Sequence, residues 1–259
     1  MNILDTIIAK KKIEVDNNKR NKNISELKKE ILFKKDTKSF KDFLLRKDRT
    51  GIIAEFKTKS PSKGIINDVS SVEEVTADYA KYGASAISVL TDEEFFGGTI
   101  KHLLKATAVD IPVLRKDFII DEYQLIESKA YGADVILLIA ACLSKKEVKS
   151  LATIAKDIGL NVLLEIHNEA ELEHICDEVD VTGINNRDLK TFKVDLNHSI
   201  ELCRKIPADM IKISESGIDD VKTILYLQEN GFSGFLMGEK FMKEKNPGNA
   251  FRDFVRMIK

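Results

Sequence analysis

The chain has 259 residues, 43% hydrophobic and 32% charged, enough apolar material for one large domain or two small ones around a buried core. Its 41 lysines and arginines are balanced by 42 aspartates and glutamates, and this net charge of −1 argues against nucleic acid or an anionic membrane as partner. No apolar run is long enough to span a bilayer, Val135 to Leu143 being strand-sized, and no charged-then-apolar N-terminus resembles a signal peptide.

Residues 1 to about 48 differ from the rest. Asn2, Ile3, Leu4 and Asp5 lead into Ile7, Ile8, Ile13 and Val15 among many lysines, with partial helical spacing. Ser25 ahead of Leu27, Ile31 and Leu32 predicts a second helix capped by Ser25, and Ser39 to Leu45 predicts a third. The segment reads as a helical extension packed on the main body, its many charges forming a solvated face.

From residue 50 the pattern is regular. Strand-like runs occur at 51–56, 86–90, 112–115, 134–139, 161–165, 181–184, 210–214 and 234–237. Helical spacing fills the intervals: Val75, Tyr79 and Tyr82; Tyr123, Ile126 and Ala130; Val148, Leu151, Ile154 and Ala155; Val221, Ile224, Leu225 and Gln228. Gly83, Gly132 and Gly231 stand where helix ends precede strands. Strand alternating with helix about eight times in about 200 residues is the rhythm of an α/β protein of the (β/α)₈ TIM-barrel type. A doubly wound open sheet is the alternative, weakened by the lack of a Gly-x-Gly-x-x-Gly turn after the first strand. The expected organisation is an N-terminal helical extension, 1–48, on a barrel, 49–259, as one structural domain overall.

In such a barrel the functional groups gather where strands end. Glu55 and Lys57 close the first strand, and period-two alternation turns both the same way. Lys116 and Asp117 close the third, and Glu165 closes the fifth. Asn185 and Arg187 follow the sixth, Glu215, Ser216 and Gly217 the seventh, and Gly238 the eighth. Taken singly, Asp117 or Glu215 reads equally well as a structural ion pair; taken together, the set suits acid–base chemistry on an anionic substrate. Ser216-Gly217-Ile218 before a helix and Gly238-Glu239-Lys240 after the last strand offer a phosphate site in loops seven and eight. Phe96 and Phe118 lie in loops as either packing residues or an aromatic wall. Cys142, Cys176 and Cys203, without metal-like spacing, fit small apolar residues of a reducing cytoplasm.

Several of these stretches together resemble the indole-3-glycerol-phosphate synthase family of tryptophan biosynthesis. They are Ile53-Ala54-Glu55-Phe56-Lys57 with Ser60-Pro61-Ser62-Lys63-Gly64, Ile87 to Asp92 with Phe96 and Gly98, and Pro112 to Phe118. Further on come Leu164-Glu165, Gly183 to Leu189, Ser214 to Ile218, and Met237-Gly238. The resemblance implies closure of an indole ring on 1-(2-carboxyphenylamino)-1-deoxyribulose 5-phosphate, with loss of CO₂ and water and no metal or organic cofactor. It implies a catalytic set of Glu55, Lys57, Lys116, Glu165, Asn185 and Ser216. Lys116 would be the general acid on the ketone oxygen and Glu165 the base of the dehydration. Lys57, held by Glu55, would bind the anthranilate carboxylate and serve as acid for the departing hydroxyl. Asn185 would support Glu165 or hydrogen-bond substrate hydroxyls, and Arg187 would meet the carboxylate or brace the rim. Ser60, Phe96, Phe118 and Leu138 would line the ring pocket. Glu215, Ser216, Gly217, Gly238 and Glu239 would build the phosphate end, the Glu239 side chain turned outward. Phe56 stands where a smaller aliphatic is usual and is expected to face away from the substrate.

The competing readings are a barrel that binds a phosphorylated ligand without turnover, and an enzyme like phosphoribosylanthranilate isomerase. The latter needs a cysteine at the first strand end, where this chain has Glu55 and Lys57. The expected partner is a small phosphorylated substrate, not nucleic acid or membrane, with other tryptophan-pathway enzymes as further partners and a monomer or weak homo-oligomer as the state.

Overall fold

The computed structural model describes residues 3–61, 63–188 and 193–258; Ser62 and Leu189, both within the motifs above, lie outside them. Eight parallel strands close into a barrel. They are β1 (Ile52–Phe56), β2 (Ala86–Leu90), β3 (Val113–Lys116), β4 (Val135–Ile139), β5 (Asn161–Ile166), β6 (Val181–Asn185), β7 (Ile211–Glu215) and β8 (Gly234–Met237). Each pairs with its successor, and β8 returns to β1 with Ile53 opposite Leu236. The predicted strands thus match in number, and their ends in sequence shift by at most one or two residues.

The strands are buried on both faces, so most of their residues are apolar, and two cores result. Inside the barrel Ile53, Leu114, Leu137, Leu163, Val181, Ile213 and Leu236 pack together. Outside, Ile52, Ala54, Phe56, Ile136 and Leu138 pack against the surrounding helices. Four of those helices lie where the spacing predicted them: Val72–Lys81, Glu122–Ala130, Lys145–Asp157 and Val221–Glu229. Ser71, Asp121, Ser144 and Asp220 cap them, each accepting a backbone N–H of the first turn. Gly83, Gly132 and Gly231 follow helix ends with left-handed φ, as a C′ glycine does. No helix among the described residues is long and apolar enough to cross a membrane.

The N-terminal segment opens with α1 (Ile3–Asn21), which buries Ile7, Lys11 and Val15, one residue per turn along a single stripe. The next turn, α2 (Ile24–Leu27), is capped by Asn23 and not by Ser25: the Asn23 side chain accepts the Glu26 N–H while Glu26 reaches back to the Asn23 N–H. Ile31 and Leu32 belong to a separate 3-10 turn, Ile31–Lys34. The predicted third helix is α3 (Phe40–Leu45), with Ser39 as cap. Its Phe40 and Leu44 join the interior cluster and plug the barrel's amino end, where a Cβ on Gly234 would lie 3.1 Å from Leu44. The Asn161 side chain, at the start of β5, hydrogen-bonds the backbone of both Lys38 and Phe40, tying this plug to the sheet.

Candidate active site

The carboxyl ends of the strands surround a cavity of about 250 Å³. Glu55 and Lys57 face it together from the end of β1, joined by an ion pair of 2.9 Å. From β3 the Lys116 ammonium meets Glu165 Oε2 of β5 at 2.8 Å and Glu215 Oε2 of β7 at 3.4 Å. Asn185, last residue of β6, donates to the other Glu165 oxygen at 3.1 Å. Glycines leave space for two of these carboxylates. A Cβ at Gly183 would lie 2.2 Å from Glu215 Oε1, and one at Gly238 2.7 Å from Glu55 Oε1.

Burial and pairing separate the ionisation states. Burial favours the neutral form of Glu165, but Lys116 and then His167 outweigh it and hold the carboxyl far below the usual range. Burial would strip Lys116 of its proton, yet Glu165, Glu215 and Glu55 raise its affinity well above that of a free lysine. Glu215 goes the other way: burial, reinforced by Glu165 and Glu55 against the pull of Lys116, pushes it up to about 8. Its Oε1 is buried without a hydrogen-bond partner. The mouth therefore brings together a charged acid, an ionised base and, in Glu215, a second carboxyl biased toward its protonated form.

Around this centre the walls divide by chemistry. Phe96 and Phe118 face the cavity with ring centroids 6.1 Å apart, and Ser60 lies beside them at 9% exposure. Arg187 reaches the rim, its backbone N–H bonded to Asn185 Oδ1 at 3.0 Å. Ser216, Gly217, Gly238 and Glu239 line the far side. Ser216 is the one described non-glycine residue with left-handed φ, +71°. The Asn186 amide accepts that strained turn by donating to the Ser216 carbonyl at 2.7 Å and to Ser214 Oγ at 2.9 Å. Glu239 turns away toward Lys63, 3.6 Å distant. Phe56 also faces away, edge-on to His102.

Two expectations need correction. Leu138 does not line the pocket: it belongs to the outer core, and its neighbours Leu137 and Ile139 face the cavity. The lysines of the N-terminal segment are not all solvated. The Lys11 side chain is 0% exposed and meets Asp92 and Asp117 at 2.9 Å each. Asp117 is thus structural. It joins Lys11, Arg115 and the Thr91 hydroxyl, and these hold it below the usual carboxylate range despite its burial. This staple lays α1 across the mouth, where Ile3, Leu4 and Ile7 complete the cavity wall.

Sequence reasoning also passed over Asn186 and His167. His167 lies two residues beyond Glu165 with Nε2 3.1 Å from Glu165 Oε1, a position that strand alternation alone could have flagged. Among the described residues no group of three or more His, Cys, Asp or Glu side chains is placed to hold a metal ion.

A sequence model of the family described as indole-3-glycerol phosphate synthase matches residues 4–254. The chain belongs to that family. It is 47% identical over 257 residues to the indole-3-glycerol phosphate synthase of Bacteroides thetaiotaomicron, covering 99% of this chain and 98% of that one. It is 45% identical over 262 residues to the protein of the same name from Caldanaerobacter subterraneus subsp. tengcongensis, covering 99% of both. Among solved structures, tryptophan synthase subunit alpha from Legionella pneumophila superposes with a TM-score of 0.62 at 14% identity, over 85% of this chain and 96% of that one. That likeness is one of fold. Indole-3-glycerol phosphate synthase membership rests on the sequence match, which spans the N-terminal segment as well as the barrel.

Proposed function

We propose that the chain is a carbon–carbon lyase that converts 1-(2-carboxyphenylamino)-1-deoxyribulose 5-phosphate to indole-3-glycerol phosphate, CO₂ and water, with the roles below. The observation that carries these roles is the Lys116–Glu165 contact of 2.8 Å, which puts a charged acid and an ionised base in one cavity. As the ring carbon attacks the ketone carbon, Lys116 gives its proton to the ketone oxygen, which becomes a hydroxyl. The C–CO₂ bond then breaks and leaves its electrons in the ring. Desolvation beside Phe96 and Phe118 favours this step, because the carboxylate loses hydration that neutral CO₂ does not need. Finally the hydroxyl departs as water with a proton from Lys57, and Glu165 takes the proton released by the adjacent CH₂, the former C1 of the deoxyribulose. Two protons are supplied and one removed, which balances conversion of a carboxylate to CO₂.

Glu55 holds Lys57 for the substrate carboxylate, and Arg187 braces the same side. Ser216 and the backbone N–H groups of Gly217, Gly238 and Glu239 take the phosphate. We infer further that residues 1–48 and 49–259 work as one structural unit, supported by the buried Lys11 staple. Three free thiols, Cys142, Cys176 and Cys203, support a cytoplasmic setting.

The test is a cofactor-free assay in EDTA that follows indole fluorescence; the chain has no Trp to obscure it. Glu165→Gln is expected to lower kcat about a hundredfold or more while the substrate still binds. Unchanged turnover would show that another group serves as base.

Glu215 sets a second expectation. Loss of its proton near pH 8 places a second anion beside Lys116, tightens that lysine's hold on its own proton and weakens it as an acid. Turnover should therefore fall on the alkaline side, with an apparent midpoint of about 8. Glu215→Gln, neutral at every pH, should flatten that limb. A limb that persists unchanged in the variant would mean that another group titrates there.

A further inference from the structure

Glu165 is contacted on both oxygens. Oε2 meets Lys116, whereas Oε1 is shared between the Asn185 amide and the His167 ring. The other ring nitrogen of His167, Nδ1, lies 3.3 Å from Glu171 Oε2. Glu171 belongs to the 3-10 turn Glu169–His174 that follows β5, and it is fixed there. One of its oxygens accepts the His167 backbone N–H and the other the Asn168 side chain, both at 2.7 Å. The ring therefore stands between two carboxylates. An imidazole that carries one proton can serve only one of them, whereas the imidazolium, with N–H on both sides, serves both. Nε2 lies 3.1 Å from Oε1 but off the ideal hydrogen-bond line, so the imidazolium acts on Glu165 through its charge as well as through this contact.

We propose that His167, kept protonated by Glu171, is a positioning residue for Glu165: its charge holds the carboxylate in place and ionised after Lys116 has handed its proton to the substrate. The inference rests on the reading of Glu165 as base. Its logic is replacement of a cation. In the resting site Lys116 is the largest single influence that keeps Glu165 ionised, and that influence vanishes once Lys116 becomes neutral. A second cation on the opposite oxygen covers the interval before Glu165 must accept its proton. The ionisation of the ring agrees: burial would lower it, but Glu165 and Glu171 push it up to about 10. The groups that face this arrangement from other elements are Cys142 after β4, His198 of helix Leu196–Cys203, and Lys116 and Glu215 beyond Glu165. The Cys142 thiol is pushed up to about 12 by burial and the two carboxylates and stays neutral. His198 Nε2 lies 2.9 Å from the His167 carbonyl and meets the backbone, not the ring.

Two measurements on the full chain decide the matter. The chain has four histidines, so ring NMR with a His167→Gln reference identifies the signal. The His167 ring is expected to remain an imidazolium at pH 8, with its midpoint falling by a unit or more in Glu171→Gln; a neutral ring at pH 8 overturns the proposal. In the indole assay, loss of a cation within about 4 Å raises a carboxylate's midpoint by about one unit or more. The acid limb of kcat should therefore move to higher pH by about that much in His167→Gln, with KM unchanged within about twofold. Glu171→Gln, which leaves the ring in place, should move it in the same direction by less. A loss of kcat equal at every pH would mark a structural role only and overturn the inference. Glu165→Gln separates the two failures. If it retains full turnover, the base assignment itself is wrong; if it is inactive while the His167→Gln profile does not shift, only the inference falls.

Discussion

Lys116→Met is expected to abolish turnover, with kcat reduced by about a thousandfold or more and substrate binding retained. Methionine matches the length and volume of the lysine stem, so the wall is preserved while the proton donor and the charge are removed. The effect exceeds that of a generic acid because Lys116 is also the cation facing Glu165 and Glu215. Without it, Glu165 loses the largest influence that keeps it ionised, so acid and base are damaged together. Lys116→Arg should not restore activity, since a guanidinium does not give up its proton at this pH. Binding is measured separately, by the thermal shift on adding substrate. A Lys116→Met protein that turns over at a tenth of the normal rate or better would remove Lys116 as the acid.

The other large effect is structural. Lys11→Met should destabilise the fold by about 3 kcal/mol or more, because removing one member of a buried ion cluster leaves its carboxylates without their cation. Asp117 would keep Arg115 and Thr91, whereas Asp92, 2% exposed, would be left with the Phe95 N–H that it caps. For a chain of this size the loss corresponds to a fall in Tm on the order of 10 °C. KM should rise as well, since α1 carries Ile3, Leu4 and Ile7 into the cavity wall. Glu14→Gln, which touches the same lysine from a position 40% exposed, should cost far less. An unchanged Tm in Lys11→Met would show that the cluster contributes nothing net.

The barrel was legible because most strands are predominantly apolar runs and glycines stop several of the helices just before the strands begin. The acid–base set was legible for a related reason: Glu55, Lys116 and Glu165 are charges at the ends of predominantly apolar runs. What failed was anything that depends on knowing which face of a strand points inward. Glu55 and Lys57 mark the inner face of β1, but β4 reads Val-Ile-Leu-Leu-Ile and carries no such mark, so Leu138 could not be told from Leu137 and Ile139. Lys11 failed differently. Its partners come from the ends of β2 and β3, and one lysine in a run of three gives no sign of which will be buried. Ser25 lost to Asn23 because both are good caps and only the reciprocal bond with Glu26 decides between them. Asn186 was hidden inside a motif, since its function is to tie down a left-handed turn contributed by another strand.

Translation delivers α1 ahead of the strands, and the charge it must bury has no counterpart until β2 and β3 have emerged. A nascent chain that ends before β3 carries Lys11 without Asp117, and a lysine facing apolar surroundings without its carboxylates stays in water. α1 therefore docks late, across a long stretch of intervening chain, and contacts of that kind are slow to form. The mouth of the barrel is then among the last parts of the molecule to close, although its lid is made before the strands it covers.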